Sequence, residues 1–269
     1  MNPNRLLACV AALFVAGAVT AAPAMAAPRK AAAPVDYVAL GDSYHSGVGT
    51  RQYDSGSGDC RRSQLAYPAL WAKSHQASSF TFAACSGART ADVLNNQLGA
   101  LNANTDLVTV GIGGNDAGFA DILTRCQLGS DGDCRGAVDG AIAFAQRDLP
   151  ARLDSVYRAI KAKAPNAKLV VVGYPRLFDG GPSCSFGGMS QTKRVKLNSA
   201  ADILSDVVAG RASANGGTYV DVRASFTTHG ICSSNEWVNG LSWPIVESYH
   251  PNSKGNAEGY LPALNRVTG

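Results

Sequence analysis

The chain carries 269 residues, of which 46% are hydrophobic and 16% charged, with 29 Gly, 12 Pro and 7 Cys. That apolar content excludes a disordered chain and is enough for one large domain or two small ones. The net charge of +4 is mild and no Lys/Arg run exceeds two residues, which argues against a nucleic-acid footprint.

The first segment reads as a secretory leader. Arg5 supplies a positive start, residues 6–19 an apolar stretch, and Ala24-Met25-Ala26 a small-x-small cleavage pattern. The stretch is short for a bilayer span and breaks up at Pro23, and no later segment is apolar for long enough to cross. Removing residues 1–26 takes Cys9 with it and turns an odd cysteine count into an even one. Cys60, Cys85, Cys126, Cys134, Cys184 and Cys232 remain. In an exported chain these point to three disulfides. Their pairing is open from sequence alone, and sequential pairing, Cys60–Cys85, Cys126–Cys134 and Cys184–Cys232, closes the shortest loops. No Cys-x-x-Cys pair occurs, so the tight spacing of a zinc site is missing. We expect no metal and no other cofactor.

After the leader, strand and helix alternate. Residues 35–40 form a short apolar run ending at Gly41, suited to a buried strand, and residues 67–73 look helical. A second strand is expected over 79–84, and a second helix over 90–101 with Thr90 as its cap. Residues 106–113 give a third strand that breaks into glycines. Residues 137–164 have helical apolar spacing at Leu149, Leu153, Val156 and Ile160, with Pro150 expected to kink the helix or to start another. Leu169-Val170-Val171-Val172 marks the fourth strand, followed by a helix over 191–214, a fifth strand over 218–222 and a closing helix over 253–267. Apolar strands separated by helices indicate one α/β domain over residues 27–269, with a parallel sheet covered on both faces. In such sheets the functional site lies beyond the carboxyl ends of the strands.

Three segments at those ends carry chemistry. The first strand runs into Gly41-Asp42-Ser43-Tyr44, where a tight turn either exposes the Ser43 hydroxyl or uses it as a helix cap. The third runs into Gly111-Ile112-Gly113-Gly114-Asn115-Asp116, where Asn115 offers an amide donor unless the stretch is only a turn. The third segment, Glu247-Ser248-Tyr249-His250-Pro251-Asn252, puts a histidine just before the last helix. Together they supply a nucleophile, a base and an oxyanion donor, which suits acyl transfer. His45 is the rival base, but at two residues past Ser43 its side chain is expected to point away. Asp42 and Asp116 are expected to brace their turns. Gly-x-Ser-x-Gly is absent around Ser43, which disfavours a standard α/β-hydrolase.

With these residues in view, the chain resembles the SGNH (GDSL) hydrolases over its whole length after the leader. Gly-Asp-Ser at 41–43, the glycine of Ala84-Cys85-Ser86-Gly87-Ala88, Gly-Gly-Asn-Asp at 113–116 and His250 match that family's four blocks in order. The six cysteines and the Glu-Ser-Tyr-His-Pro stretch look most like its secreted actinobacterial lipases and phospholipases A1. The resemblance implies a flavodoxin-like three-layer α/β/α sandwich on a five-stranded parallel sheet. It further implies Ser43 as nucleophile, His250 as general base, and an oxyanion hole from the Ser43 and Gly87 N–H groups and the Asn115 side chain. The chain departs from the family at the third triad member, since Glu247 stands where Asp is usual. Some members orient the histidine through a backbone carbonyl instead, and here that carbonyl is Ser248's. We therefore expect a Ser–His dyad oriented by the Ser248 carbonyl, with Glu247 as the alternative.

The function expected is a secreted, monomeric serine ester hydrolase that meets acyl lipid transiently at a lipid–water surface, with no nucleic-acid partner and no stable anchor. Phe119, Ile122, Leu123, Leu177 and Phe178, on loops after Gly113 and around Gly180, are expected to line the acyl site. A polysaccharide deacetylase-type esterase is the near alternative, and a non-catalytic glycan- or lipid-binding protein on the same scaffold the distant one.

Overall fold

Each short apolar run ends where a glycine or polar turn former breaks it, and these runs assemble side by side into one sheet. The computed structural model describes residues 34–180, 184 and 188–269, and the leader read at residues 1–26 lies outside them. Strands β1 (Asp36–Gly41), β2 (Ser79–Phe82), β3 (Leu107–Gly111), β4 (Lys168–Val172) and β5 (Thr218–Val220) are all parallel, in the order β2-β1-β3-β4-β5. The register sets Gly41 opposite Gly111, so the two chemistry-bearing strand ends finish level with each other.

Successive strand residues feed opposite layers, as the two-residue period of a strand requires. Tyr37 and Ala39 of β1 and Val170 and Val172 of β4 enter one apolar core. Val38, Leu40, Leu169 and Val171 enter the other. The first core is closed by α2 (Tyr67–Ser74), α4 (Phe119–Leu128), the start of α5 (Asp131–Arg147), and α8 (Leu261–Thr268). The second is closed chiefly by α6 (Leu149–Lys163), with Val208 and Ala212 of α7 (Gln191–Ala214). The short helices α1 (Ser43–Ser46) and α3 (Thr90–Asp92) follow the strand ends.

The elements differ from the sequence reading in several places: the helix expected over 90–101 is α-helical only to Asp92 and continues as a π turn (Val93–Gln97) and a 3-10 turn (Leu98–Ala100), and the closing helix expected over 253–267 is α-helical only from Leu261, after a π turn (Gly255–Tyr260). Thr90 is not the cap of its helix: Arg89 is, and the Asp92 carboxylate accepts from the Arg89 N–H at 2.9 Å. The helix expected over 137–164 is two helices. α5 begins earlier, at Asp131, because Ser130 caps it and Asp133 completes a capping box. It ends before Asp148, and Pro150 sits in the first turn of α6, where its missing N–H costs nothing. Finally, residues 119–128 form α4 rather than a loop. Its apolar spacing is short and follows Gly118, whose left-handed backbone starts the helix without a side-chain cap.

The structure pairs Cys60 with Cys85, Cys126 with Cys134, and Cys184 with Cys232. Cys126–Cys134 fastens α4 to α5, and Cys60–Cys85 fastens the loop after β2.

At one point the sheet and α1 approach so closely that only glycine fits. A Cβ on Gly111 would stand 1.7 Å from His45 Nε2, and His45 is fully buried. Gly111→Ala is therefore expected to destabilise the protein by about 3 kcal/mol in urea denaturation, through overpacking of a rigid site. A loss under about 0.5 kcal/mol would show that His45 has room to move.

Candidate active site

The turn after β1 presents Ser43. Asp42, not Ser43, caps α1: its carboxylate accepts from the Tyr44 N–H at 3.0 Å, which makes Ser43 the first helical residue. Ser43 Oγ lies 2.8 Å from His250 Nε2, although the two residues are 207 positions apart in sequence. His250 Nδ1 lies 2.8 Å from the Ser248 carbonyl oxygen. A carbonyl only accepts, so Nδ1 carries the proton and Nε2 is left to accept from the Ser43 hydroxyl. Burial lowers the His250 pKa below its ordinary 6.5, and the Ser248 carbonyl and the charges of Asp42 and Glu247 oppose that shift. A hydroxyl bonded to a neutral imidazole is a nucleophile with its base already in place.

Glu247 is buried, and its carboxylate is turned to Tyr53. The Tyr53 hydroxyl donates to Glu247 Oε1 at 2.5 Å and accepts from the Gly49 N–H at 3.2 Å. Burial, then the adjoining carboxylate, pushes the Tyr53 phenol above its ordinary range. The Glu247 main-chain carbonyl accepts from Asn239 Nδ2 at 3.3 Å. Glu247 thus ties the segment before His250 to the loop after α1, while the backbone of Ser248 meets the imidazole.

Of the residues expected to form the oxyanion hole, Ser43 and Asn115 line one cavity, and Gly87 directly precedes Ala88, whose carbonyl accepts from Asn115. Gly87 holds φ +80, a left-handed conformation that a side chain would strain, and nothing lies within 4 Å of where its Cβ would be. Neither the Ser43 nor the Gly87 N–H has an acceptor among the described residues. Asn115 lines the same cavity as Ser43, and its Nδ2 donates one hydrogen to the Ala88 carbonyl at 2.9 Å. A primary amide carries a second hydrogen. The Cys60–Cys85 bridge and the bonds from Cys85 N–H to the Gly41 carbonyl (3.0 Å) and Ser86 N–H to the Cys60 carbonyl (3.1 Å) fix the Gly87 loop.

His45, the rival base, is turned away from Ser43 Oγ. Its Nδ1 lies 3.0 Å from Asp42 Oδ1 and its Nε2 3.2 Å from the Val172 carbonyl, under the sheet edge. Asp42 also accepts from the Tyr174 hydroxyl at 2.5 Å. Asp116 accepts from the Thr90 N–H at 2.9 Å and hydroxyl at 2.6 Å, which ties α3 to the glycine turn after β3.

An apolar cavity opens beside Ser43. Phe119, Ile122 and Leu123 line it from α4, and Leu177 from the segment after β4. Phe178 does not line it, because it packs beside Tyr249, with ring centroids 6.3 Å apart. Residues 181–183 and 185–187, also expected near the acyl site, lie outside the described residues. Ile142 and Leu204 add lining that loop reasoning missed, since they belong to α5 and α7.

Two tyrosines were missed as well. Tyr44 donates to the Tyr249 carbonyl at 2.5 Å, and its ring centroid is 5.0 Å from that of His250. Tyr174 follows β4 at the sheet's carboxyl edge, and that position was the available signal. Among the described residues no group of three or more His, Cys, Asp or Glu is placed to hold a metal ion, and no helix is long and apolar enough to cross a membrane.

The GDSL-like lipase/acylhydrolase family matches residues 39–258 of the chain. A lipase of Streptomyces coelicolor, Lipase 1, is 51% identical over 98% of this chain and 99% of its own length. The crystal structure of phospholipase A1 from Streptomyces albidoflavus NA297 is 52% identical, with a TM-score of 0.85 over 87% of this chain and 99% of that one. The crystal structure of the extracellular lipase of Streptomyces rimosus is 50% identical, also with a TM-score of 0.85, over 87% of this chain and 100% of that one.

The site geometry predicts how His250 titrates. Its imidazole C–H resonances should show a midpoint below 6.5 in an NMR titration, because the buried ring resists charging. The neutral form that accepts from Ser43 should then persist at mildly acidic pH. A midpoint above 6.5 would mean that charge from Asp42 or Glu247 outweighs burial.

Proposed function

The chain belongs to the GDSL-like lipase/acylhydrolase family and is a carboxylic ester hydrolase of the lipase and phospholipase A1 type, and within that activity we propose that Ser43 is the nucleophile and His250 its general base. One observation carries the assignment. Ser43 Oγ, His250 Nε2, His250 Nδ1 and the Ser248 carbonyl form a continuous relay of two 2.8 Å contacts at the mouth of an apolar cavity.

In this reading Ser43 Oγ attacks the ester carbonyl carbon as its proton passes to His250 Nε2. Negative charge develops on the former carbonyl oxygen, where the Ser43 N–H, the Gly87 N–H and Asn115 Nδ2 receive it. Collapse of the tetrahedral intermediate breaks the bond to the leaving alkoxide, which takes the proton from His250. Water then attacks the acyl-enzyme by the same route, giving the carboxylic acid and restoring Ser43. The Ser248 carbonyl fixes the tautomer that accepts the first proton. A neutral carbonyl stabilises the imidazolium less than a carboxylate does, and the buried charges on Asp42 and Glu247 supply part of the remainder.

We take the substrate to be an acyl lipid. Phe119, Ile122, Leu123 and Leu177 give the cavity an apolar wall that an acetyl group would leave largely unfilled. We also take the protein to be secreted and monomeric, meeting lipid transiently. The leader pattern at residues 1–26 and three disulfides support export. A non-catalytic scaffold would have no need to keep Ser43, His250, Gly87 and Asn115 in this arrangement.

Ser43→Ala and His250→Ala are each expected to lower kcat for p-nitrophenyl octanoate by roughly 10⁴-fold or more. Glu247→Gln keeps an acceptor for Tyr53 and should cost less than about tenfold, whereas loss of a true triad carboxylate costs about 10⁴. A thousands-fold loss in Glu247→Gln would assign the orienting role to the carboxylate. Across p-nitrophenyl esters of rising chain length, phosphatidylcholine and triacylglycerol, turnover should favour long acyl chains. Activity confined to acetyl esters would overturn the lipid reading, and failure of Ser43 to label with a fluorophosphonate would overturn catalysis.

A further inference from the structure

The segment between Asn239 and Tyr249 is a closed loop. The Tyr249 N–H donates to the Asn239 carbonyl at 2.8 Å, the Asn239 N–H to the His250 carbonyl at 2.9 Å, and the Ser242 N–H to Ser248 Oγ at 2.8 Å. Despite this bracing, the loop turns its largest apolar side chains outward. Trp243 is 85% exposed, Ile245 62% and Leu241 58%. Residues 240–246 carry no charged side chain, and the one carboxylate of the loop, Glu247, is buried against Tyr53.

A fourth exposed apolar residue stands close by on a different element. Leu128, 81% exposed, ends α4, and its neighbour Gln127 accepts from the Tyr249 hydroxyl at 2.7 Å. The same helix lines the acyl cavity with Phe119, Ile122 and Leu123. The exposed loop therefore runs directly into His250, and the end of the helix that walls the cavity is hydrogen-bonded to the residue before that histidine. Soluble proteins seldom hold four large apolar side chains in water on bonded elements unless something covers them. A tryptophan with aliphatic neighbours and no charge matches the boundary between headgroups and acyl chains of a zwitterionic lipid surface.

We propose that Trp243, Ile245, Leu241 and Leu128 form an interfacial docking surface that inserts into a phosphatidylcholine-type lipid layer and sets the acyl cavity facing it. The inference rests on the lipase and phospholipase A1 reading for its substrate, but its test does not need turnover. The chain has three tryptophans, and Trp71 and Trp237 are buried, so a change in emission on binding reports Trp243.

The full-length protein freed of its leader is mixed with vesicles of non-hydrolysable diether phosphatidylcholine. Its emission should shift to the blue, and co-sedimentation with sucrose-loaded vesicles should weaken tenfold or more in Trp243→Ser and in Leu128→Ser. Hydrolysis of ester phosphatidylcholine vesicles should fall in parallel, while kcat/KM for dissolved p-nitrophenyl butyrate stays within twofold. Leu128 lies off the loop that precedes His250, so its variant separates docking from disturbance of the base. Emission unmoved by excess vesicles would overturn the proposal. So would an equal loss on dissolved and vesicular esters, or a concentration-dependent dimer that Trp243→Ser dissolves, which would give the surface to a second copy. A wild-type protein that binds vesicles but hydrolyses neither ester would instead count against the catalytic assignment alone.

Discussion

A buried carboxylate that must be satisfied organises this site. Asp42 is almost wholly buried directly after β1, where an uncompensated charge would be costly. It collects the Tyr44 N–H, the His45 ring and the Tyr174 hydroxyl, two donors from α1 and one from the segment after β4. Tyr174 in turn accepts from the Gly114 N–H at 3.4 Å, which brings in the glycine turn after β3. One side chain therefore draws together the ends of three strands. Ser43 stands next to it and inherits a fixed position without itself spending its hydroxyl on the fold.

The imidazole is placed by backbone on one side and by aromatic packing on the other. The Ser248 carbonyl meets Nδ1, and the Tyr44 ring lies against the His250 ring while its hydroxyl holds the Tyr249 carbonyl. A backbone partner makes the position of this ring depend on loop geometry rather than on one side chain's charge. Correspondingly, the loop is heavily bonded: Asn239, Ser242 and Ser248 close it, and the Glu247–Tyr53 contact ties it to the segment after α1. The carboxylate that sequence position made a rival orienter is engaged in that tether. Its charge still reaches His250 through the low-dielectric surroundings, opposing the shift that burial causes.

The loop before His250 is also where large apolar side chains reach water, and α4, which walls the apolar cavity beside Ser43, ends in another. The proposed docking of Trp243 and Leu128 would bring lipid to the two elements that precede His250 and wall the cavity. The disulfides suit this division of labour. Cys60–Cys85 steadies the Gly87 loop and Cys126–Cys134 joins α4 to α5, so the rim is held covalently while the two apolar cores hold the sheet.

Much of the fold was legible because strands and long helices announce themselves locally. The runs at 35–40, 106–113 and 168–173 are apolar in a way only a covered parallel sheet tolerates, and Gly41, Gly113 and Gly173 mark their ends. Ser43 and Asn115 were named from two of those ends, because open sheets gather chemistry there, His250 from its place before the last helix, and Gly87 from the resemblance to the SGNH hydrolases. What sequence left undecided were contacts between distant segments. Whether Ser248 or Glu247 meets His250 depends on a few ångströms of loop path, and Tyr53, far away in sequence, draws the carboxylate aside. Tyr44 and Tyr174 carry no periodicity or spacing that marks them, and helix α4 was hidden because its start has no cap. The outward turn of Trp243 is likewise a tertiary outcome, since a local pattern shows that a residue is apolar but not whether another element arrives to cover it. Local composition determined which segments form the sheet and marked Ser43, Asn115 and His250 as candidates for chemistry. Packing between segments hundreds of positions apart decided which groups touch, because those distances exist only once the sheet has closed.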